Sequence, residues 1–134
     1  MNAESYIKRV NKIDAIIATK KQRYQALVDA AEGLGSFSVS ERVQTSKNLH
    51  STEDTILRYV VIEGEINALE EEKNGILATI EKLPTKEYKV LYSFYIAENT
   101  LKEIAYDFDR SYEWAKKKKR RGLALLQEIL NKRG

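Results

Sequence analysis

The chain has 134 residues, enough for one domain or for a small domain with an extension. It contains no cysteine, which excludes a disulfide framework and a thiolate metal site, and its one histidine, His50, excludes most histidine-based metal and catalytic clusters. The net charge of +3 conceals a split: residues 115–134 hold eight Lys or Arg (116–121, 132 and 133) against Glu128 alone, a local +7, and the remainder carries −4. A basic end on a mildly acidic body points to a polyanionic partner.

With 6 glycines, 1 proline and much Ala, Leu, Ile, Glu and Lys, the composition is that of an all-α protein. No apolar run reaches the ~18 residues a membrane span needs, and "MNAESYIKRVNK" has no signal-peptide core. The expectation is a soluble, cytoplasmic chain without a membrane partner.

Two periodic stretches come first. Tyr6, Val10, Ile13, Ile17, Lys20, Tyr24, Leu27 and Ala31 recur at gaps of four and three. Tyr59, Ile62, Ile66, Leu69, Lys73, Ile76, Ile80 and Leu83 do the same. Each is a narrow heptad-like stripe with charges elsewhere, the pattern of coiled-coil pairing. Lys20 and Lys73 interrupt the stripes, and such polar breaks fix register or direction at a cost in stability. Between them lies "GLGSFSVSERVQTSKNLHSTED". Gly33 and Gly35 are expected to stop the first helix, and Ser51 or Thr52 to cap the second. The loop would then cover about 33–52, with His50 inside it. Residues 1–83 read as a long antiparallel helical hairpin that joins two copies into a homodimer.

Residues 84–134 read as a second domain. Pro84 stands where a helix start tolerates it, and Tyr88, Leu91, Tyr92 and Tyr95 form an apolar face. Asn99-Thr100 breaks that helix. "LKEIAYDF" follows as a short amphipathic helix with Leu101, Ile104, Ala105 and Phe108 inward. "DRS" is a tight turn in which Asp109 takes the left-handed position. Ser111 caps the last helix, whose apolar residues are Trp114, Ala115, Leu123, Leu126 and Ile129 or Leu130.

Two short helices joined by a tight turn, the second one basic, make a helix-turn-helix pattern. "WAKKKKRRG" (114–122) puts six cations in a row, and six consecutive helical residues point all the way round the axis. One cation must therefore face inward. Lys119 or Lys118 can do so by laying its stem along the core with the ammonium in water. The DNA-facing residues are expected to be Ser111, Tyr112, Glu113, Lys116, Lys117, Lys118, Arg120 and Arg121. Their cations would neutralise phosphates, and Glu113 could accept from cytosine N4. A lysine run is ordinarily a solvated face; here it follows a turn and opens a helix, which favours nucleic acid.

"LPTKEYKVLYSFYIAENTLKEIAYDFDRSYEWAKKKKRRGLALL" (83–126) resembles region 4 of sigma-70-type factors. Leu83-Pro84, Val90-Leu91, Leu101, Glu103-Ile104-Ala105, Ser111 and Leu123 carry the likeness. The whole chain, with its "SERVQTS" stretch (Ser40–Ser46), resembles small regulators of phages and phage-like islands of Gram-positive bacteria, similar in style to the ArpU-like late transcription regulators. It departs from the pattern at Asp109, Arg110, Lys119 and Gly122. The resemblance implies a cytoplasmic, nucleoid-associated transcription factor in a bacterial host, acting on double-stranded DNA as an activator. It also leaves open docking on the host RNA polymerase, and a small-terminase-like packaging protein would share the same layout. No nucleophile–base pair, phosphate loop or metal-ligand spacing is visible, so neither catalysis nor a cofactor is expected.

Overall fold

The computed structural model describes the backbone of residues 2–36 and 45–133, and the side chains of 2–30, 54 and 56–133. The described residues are helical, without a strand. The elements are α1 (Ala3–Ser36), α2 (Thr45–Ile80), α3 (Thr85–Leu91), a π-helical turn (Tyr92–Ile96), α4 (Leu101–Asp107) and α5 (Tyr112–Arg133).

Both long helices extend into the expected 33–52 loop. Helix α1 runs through Gly33 and Gly35 to Ser36, and α2 starts at Thr45. A glycine costs a helix about 1 kcal/mol relative to alanine, which weakens it without ending it. Ser51 and Thr52 therefore lie inside α2 rather than at its start, and His50 is helical rather than in a loop. Within the Ser40–Ser46 stretch, 40–44 lie outside the described residues and Thr45-Ser46 open α2.

The chain divides into two compact units, one comprising Met1–Asp14 with Glu72–Gly134 and the other Ala15–Glu71. The first brings the start of α1 and the end of α2 into the same core as α3–α5, where the sequence suggested a division at 83/84. Ile7, Val10, Ile13, Ile80, Val90, Leu91, Ile104, Ala115 and Leu126 are fully buried there. Asn2 caps α1 by accepting from the backbone N–H groups of Glu4 (2.7 Å) and Ser5 (3.3 Å). Gln127 Oε1 accepts from the N–H of Ala3 at 2.8 Å, and Asn11 donates to the carbonyl of Tyr95 at 2.7 Å. These bonds satisfy donors that would otherwise be orphaned as the N-terminal turn packs against the C-terminal helices. Arg9 pairs with Glu72 at 2.7 Å, and Lys73, one of the two polar breaks, with Asp14 at 2.8 Å.

In the second unit the other break, Lys20, pairs with Glu65. Tyr24 donates to Glu63 at 3.0 Å and Tyr59 to the carbonyl of Leu27 at 2.5 Å. As partners advance along α1 they retreat along α2, so the strands of this pairing are antiparallel. Ile17 and Ile62 are the buried apolar side chains among its described residues, while Ile66, Leu69 and Leu27 are half-buried.

In α3 the apolar face is rotated from the expected one. The buried residues are Glu87, Val90, Leu91 and Tyr95; Tyr88 is half-buried and Tyr92 is 39 % exposed. Tyr88 and Tyr92 pack on each other at 6.0 Å between rings, toward solvent. The buried stripe runs through Glu87, Val90 and Leu91 and continues to Tyr95, so Leu91 and Tyr95 lie inward as expected while Tyr88 and Tyr92 fall one residue off it.

Candidate nucleic-acid interface

Helix α4 begins with a complete capping box. Thr100 Oγ1 accepts from the N–H of Glu103 at 3.2 Å, and Glu103 Oε1 accepts from the N–H of Thr100 at 3.3 Å. The break before it is made at Glu98, with φ of 60°, one residue earlier than the sequence suggested. Helix α4 ends in a Schellman motif. Asp109 takes φ of 53°, its N–H donates to the carbonyl of Tyr106 at 3.1 Å, and the N–H of Arg110 donates to that of Ala105 at 2.9 Å. Asp109 thus occupies the left-handed position expected of it. Ser111 Oγ accepts from the N–H of Trp114 at 3.0 Å and caps α5.

The two short helices share one apolar cluster of Val90, Ile104, Ala105 and Ala115, flanked by Phe94, Leu101, Phe108 and Trp114. Trp114 packs on Phe108 with ring centroids 5.5 Å apart, and the Arg110 guanidinium lies 5.7 Å from the indole centroid. The indole is thereby committed to holding the turn, and Leu101, Ile104, Ala105 and Phe108 face inward as the spacing predicts.

Helix α5 sorts the cationic run by its 100° step per residue. Ala115, Gly122 and Leu126 are buried and define the inner face. Lys118 and Lys119 flank that face on opposite sides, and each has a partner. Lys118 Nζ bonds Glu87 Oε1 at 3.2 Å, and Lys119 Nζ sits 4.1 Å from the Phe94 ring centroid and 5.6 Å from that of Tyr95. Lys117, Arg120 and Arg121 are exposed, and Lys116 is half-exposed with its ammonium 5.7 Å from the Tyr112 ring. Tyr112 is 44 % exposed, and Glu113 and Ser111 are also exposed at the start of the helix. Seven of the eight candidate residues therefore lie at the open surface or its margin, whereas Lys118 is drawn inward. Leu101, Lys116, Lys119, Arg120 and Leu123 line a cleft of about 270 Å³.

Glu87 is the residue that sequence reasoning missed. It is 4 % exposed and stands between Lys118 and Arg121, whose Nε is 3.6 Å away. Burial pushes its carboxyl upward, but its own backbone N–H, the Lys118 hydrogen bond and the two cations outweigh this and hold it below the usual value. The signal was present: a glutamate in register with Val90 and Leu91, opposite a helix obliged to turn a lysine inward. Gly122 sets the approach of the same helices. A Cβ there would lie 2.9 Å from Leu91 Cδ1 and 3.0 Å from its Cγ. The glycine that departs from the resembled pattern is thus the residue that lets α5 lie against α3. Tyr106, 86 % exposed beside the turn, is a second omission; it lies outside the 101/104/105/108 stripe and was visible as such.

Among the described residues no group of acidic or histidine side chains could hold a metal ion, and no helix is long and apolar enough to cross a membrane. Comparison with protein-family models, with curated proteins and with solved structures finds no match to this chain.

Proposed function

We propose that the protein is a sequence-specific, double-stranded-DNA-binding regulator of transcription, an activator of phage or mobile-element genes. In this reading α4, the turn and α5 act as a helix-turn-helix of the sigma region 4 type, and α5 enters the major groove from Ser111. One observation carries it: a single outward face of α5, beginning at a capped turn, bears Lys116, Lys117, Arg120 and Arg121, the last also 3.6 Å from Glu87 at the edge of that face, while Lys118 and Lys119 turn toward the core. These four grip phosphates, and Tyr112 and Glu113 reach base edges. The α1–α2 hairpin joins two copies, so two recognition helices read symmetry-related half-sites.

The test is a salt titration of binding to fragments of the protein's own phage or island genome against random DNA of equal length. Replacing Lys116, Lys117 and Arg120 together by alanine should abolish binding and leave helicity intact. Lys117→Ala alone should lower the slope of log K against log salt by about one. A fragment bound about a thousandfold more tightly than random DNA supports specific regulation. Equal binding to all DNA that collapses with salt would replace that reading with a nonspecific grip of the kind a packaging protein uses. Wild-type binding by the triple variant would remove α5 as the reading helix.

A further inference from the structure

Helix α2 carries two apolar stripes. One, through Ile62, Ile66 and Leu69, faces α1. The other lies on a different flank of the helix, roughly 140° round from the first: Leu57, Val61, Gly64 and Ala68 recur at gaps of four, three and four, with Val60 beside them. Leu57, Val60 and Val61 are 63, 60 and 57 % exposed. Leu57 and Val61 continue into a cleft of about 540 Å³ between α1 and α2, floored by Ala26, Leu27 and Ile62 and edged by Arg58 and Glu65. A single exposed leucine is ordinary, but a contiguous apolar band with heptad spacing marks a surface meant to be covered.

We infer that this band is covered by the same band of a second copy, α2 against α2, antiparallel about a two-fold axis centred between Val61 and Ile62. The pattern is self-complementary at that register. It sets the two Val61 side chains side by side. It drops Leu57 between Gly64 and Ala68 of the second copy, where the surface is open and small: a Cβ built on Gly64 meets nothing within 4 Å. It also brings Arg58, exposed and without an ion pair among the described residues, beside Glu65 of the other copy, and the two-fold repeats the pair. Glu65 gives Oε2 to Lys20 and keeps its other oxygen open, with a side chain 43 % exposed. The hydrogen bond and charge of Lys20, with Arg23 nearby, hold its carboxyl below the usual range, so it meets Arg58 ionised. Closing the band buries apolar surface that the isolated unit leaves wet, and the flanking charges select the antiparallel direction. The inference deepens the two-copy part of the proposed function and stands independently of DNA reading.

The test uses the full chain without DNA. Light scattering across a range of concentrations should give a dimer. Val61→Cys, in a chain with no other cysteine, should form a disulfide-linked dimer on mild oxidation, whereas Asn74→Cys, on the same helix and away from the band, should not. Gly64→Leu adds bulk to the band at a site with open space for a side chain, so it should weaken association at least tenfold and leave helicity and nonspecific DNA binding unchanged. Arg58→Glu should weaken association, and adding Glu65→Arg should restore it. A monomer at every concentration, or a dimer that Gly64→Leu and Arg58→Glu leave untouched, overturns the inference. So does cross-linking through Asn74→Cys but not Val61→Cys, which would place a different face at the interface. None of these readouts depends on Lys116, Lys117 or Arg120, so failure here and failure of the DNA reading are separable.

Discussion

In the unit formed by 1–14 and 72–134, the large apolar side chains leave solvent: Ile7, Ile13, Ile80, Leu91, Ile104 and Leu126 are all fully buried. Between 15 and 71 the same kinds of residue stay wet, with Val60 and Val61 more than half exposed and polar bridges such as Lys20–Glu65 and Tyr24–Glu63 carrying much of the pairing. The contrast follows from helix number. Five helical segments can enclose a side chain on every side, and two cannot. A two-helix unit is therefore held by its seam and by whatever later covers its outer face, while the five-segment unit is complete in itself.

Truncation should separate the two regimes most sharply. Ile104→Ala empties a closed site and should cost about 3–4 kcal/mol. Val60→Ala should cost under about 0.5 kcal/mol of monomer stability. Urea unfolding measured below the association range checks both, and equal losses would break the comparison. Native-state hydrogen exchange should likewise show amides of 56–71 opening at lower free energy than those of 101–130.

The next effect is the buried pair. Lys118→Ala leaves Glu87 with Arg121 alone and should cost about 2 kcal/mol, less than the loss of a sole partner. The pH dependence has a definite sign. The Glu87 carboxyl is held below its unfolded value of 4.5, so its contribution is present above that value and is lost as pH falls through the lower, folded one. Glu87→Gln should flatten the stability curve in that acid window. An unchanged acid limb would show that exposed pairs such as Arg9–Glu72 set it instead.

Two smaller effects probe how tight the complete unit is. Gly122→Ala gains about 1 kcal/mol of helix propensity but pushes Leu91, and should still destabilise by about 1 kcal/mol net because overpacking a closed core costs more. In the opposite direction, the Tyr95 hydroxyl is buried without a hydrogen-bond partner among the described residues, and burial first, with Glu4 second, pushes its pKa up to about 12. Tyr95→Phe should therefore stabilise the fold by about 1 kcal/mol, read as a rise in urea midpoint at constant slope.

The sequence exposed what local periodicity and turn chemistry control. The two heptad stripes, the inward set 101/104/105/108, the left-handed Asp109 and the Ser111 cap are each decided within a few residues. It did not expose what depends on a partner far along the chain. Lys20 and Lys73 were readable as breaks, but Glu65 and Asp14 become their partners only once the pairing register is known. The Tyr88 face failed because the buried stripe runs one residue earlier, through Glu87, a carboxylate whose cationic partners Lys118 and Arg121 lie far along the chain. Glycine misled twice, in opposite senses: Gly33 and Gly35 continue a helix, and Gly122 admits a neighbouring one. Of the cationic run, the need for an inward member was visible, yet that two are drawn in, one to a carboxylate and one to aromatic faces, required the positions of Glu87 and Phe94.

The turn between α4 and α5 holds the molecule's one tryptophan, with a phenylalanine on one side and a guanidinium nearby. Its emission is a built-in optical label for that corner of the fold. A shift or quench on adding DNA would time any rearrangement of the turn by stopped flow, with no dye attached. The 15–71 unit has no indole, so a change in indole emission reports on the turn's own unit and not on that one.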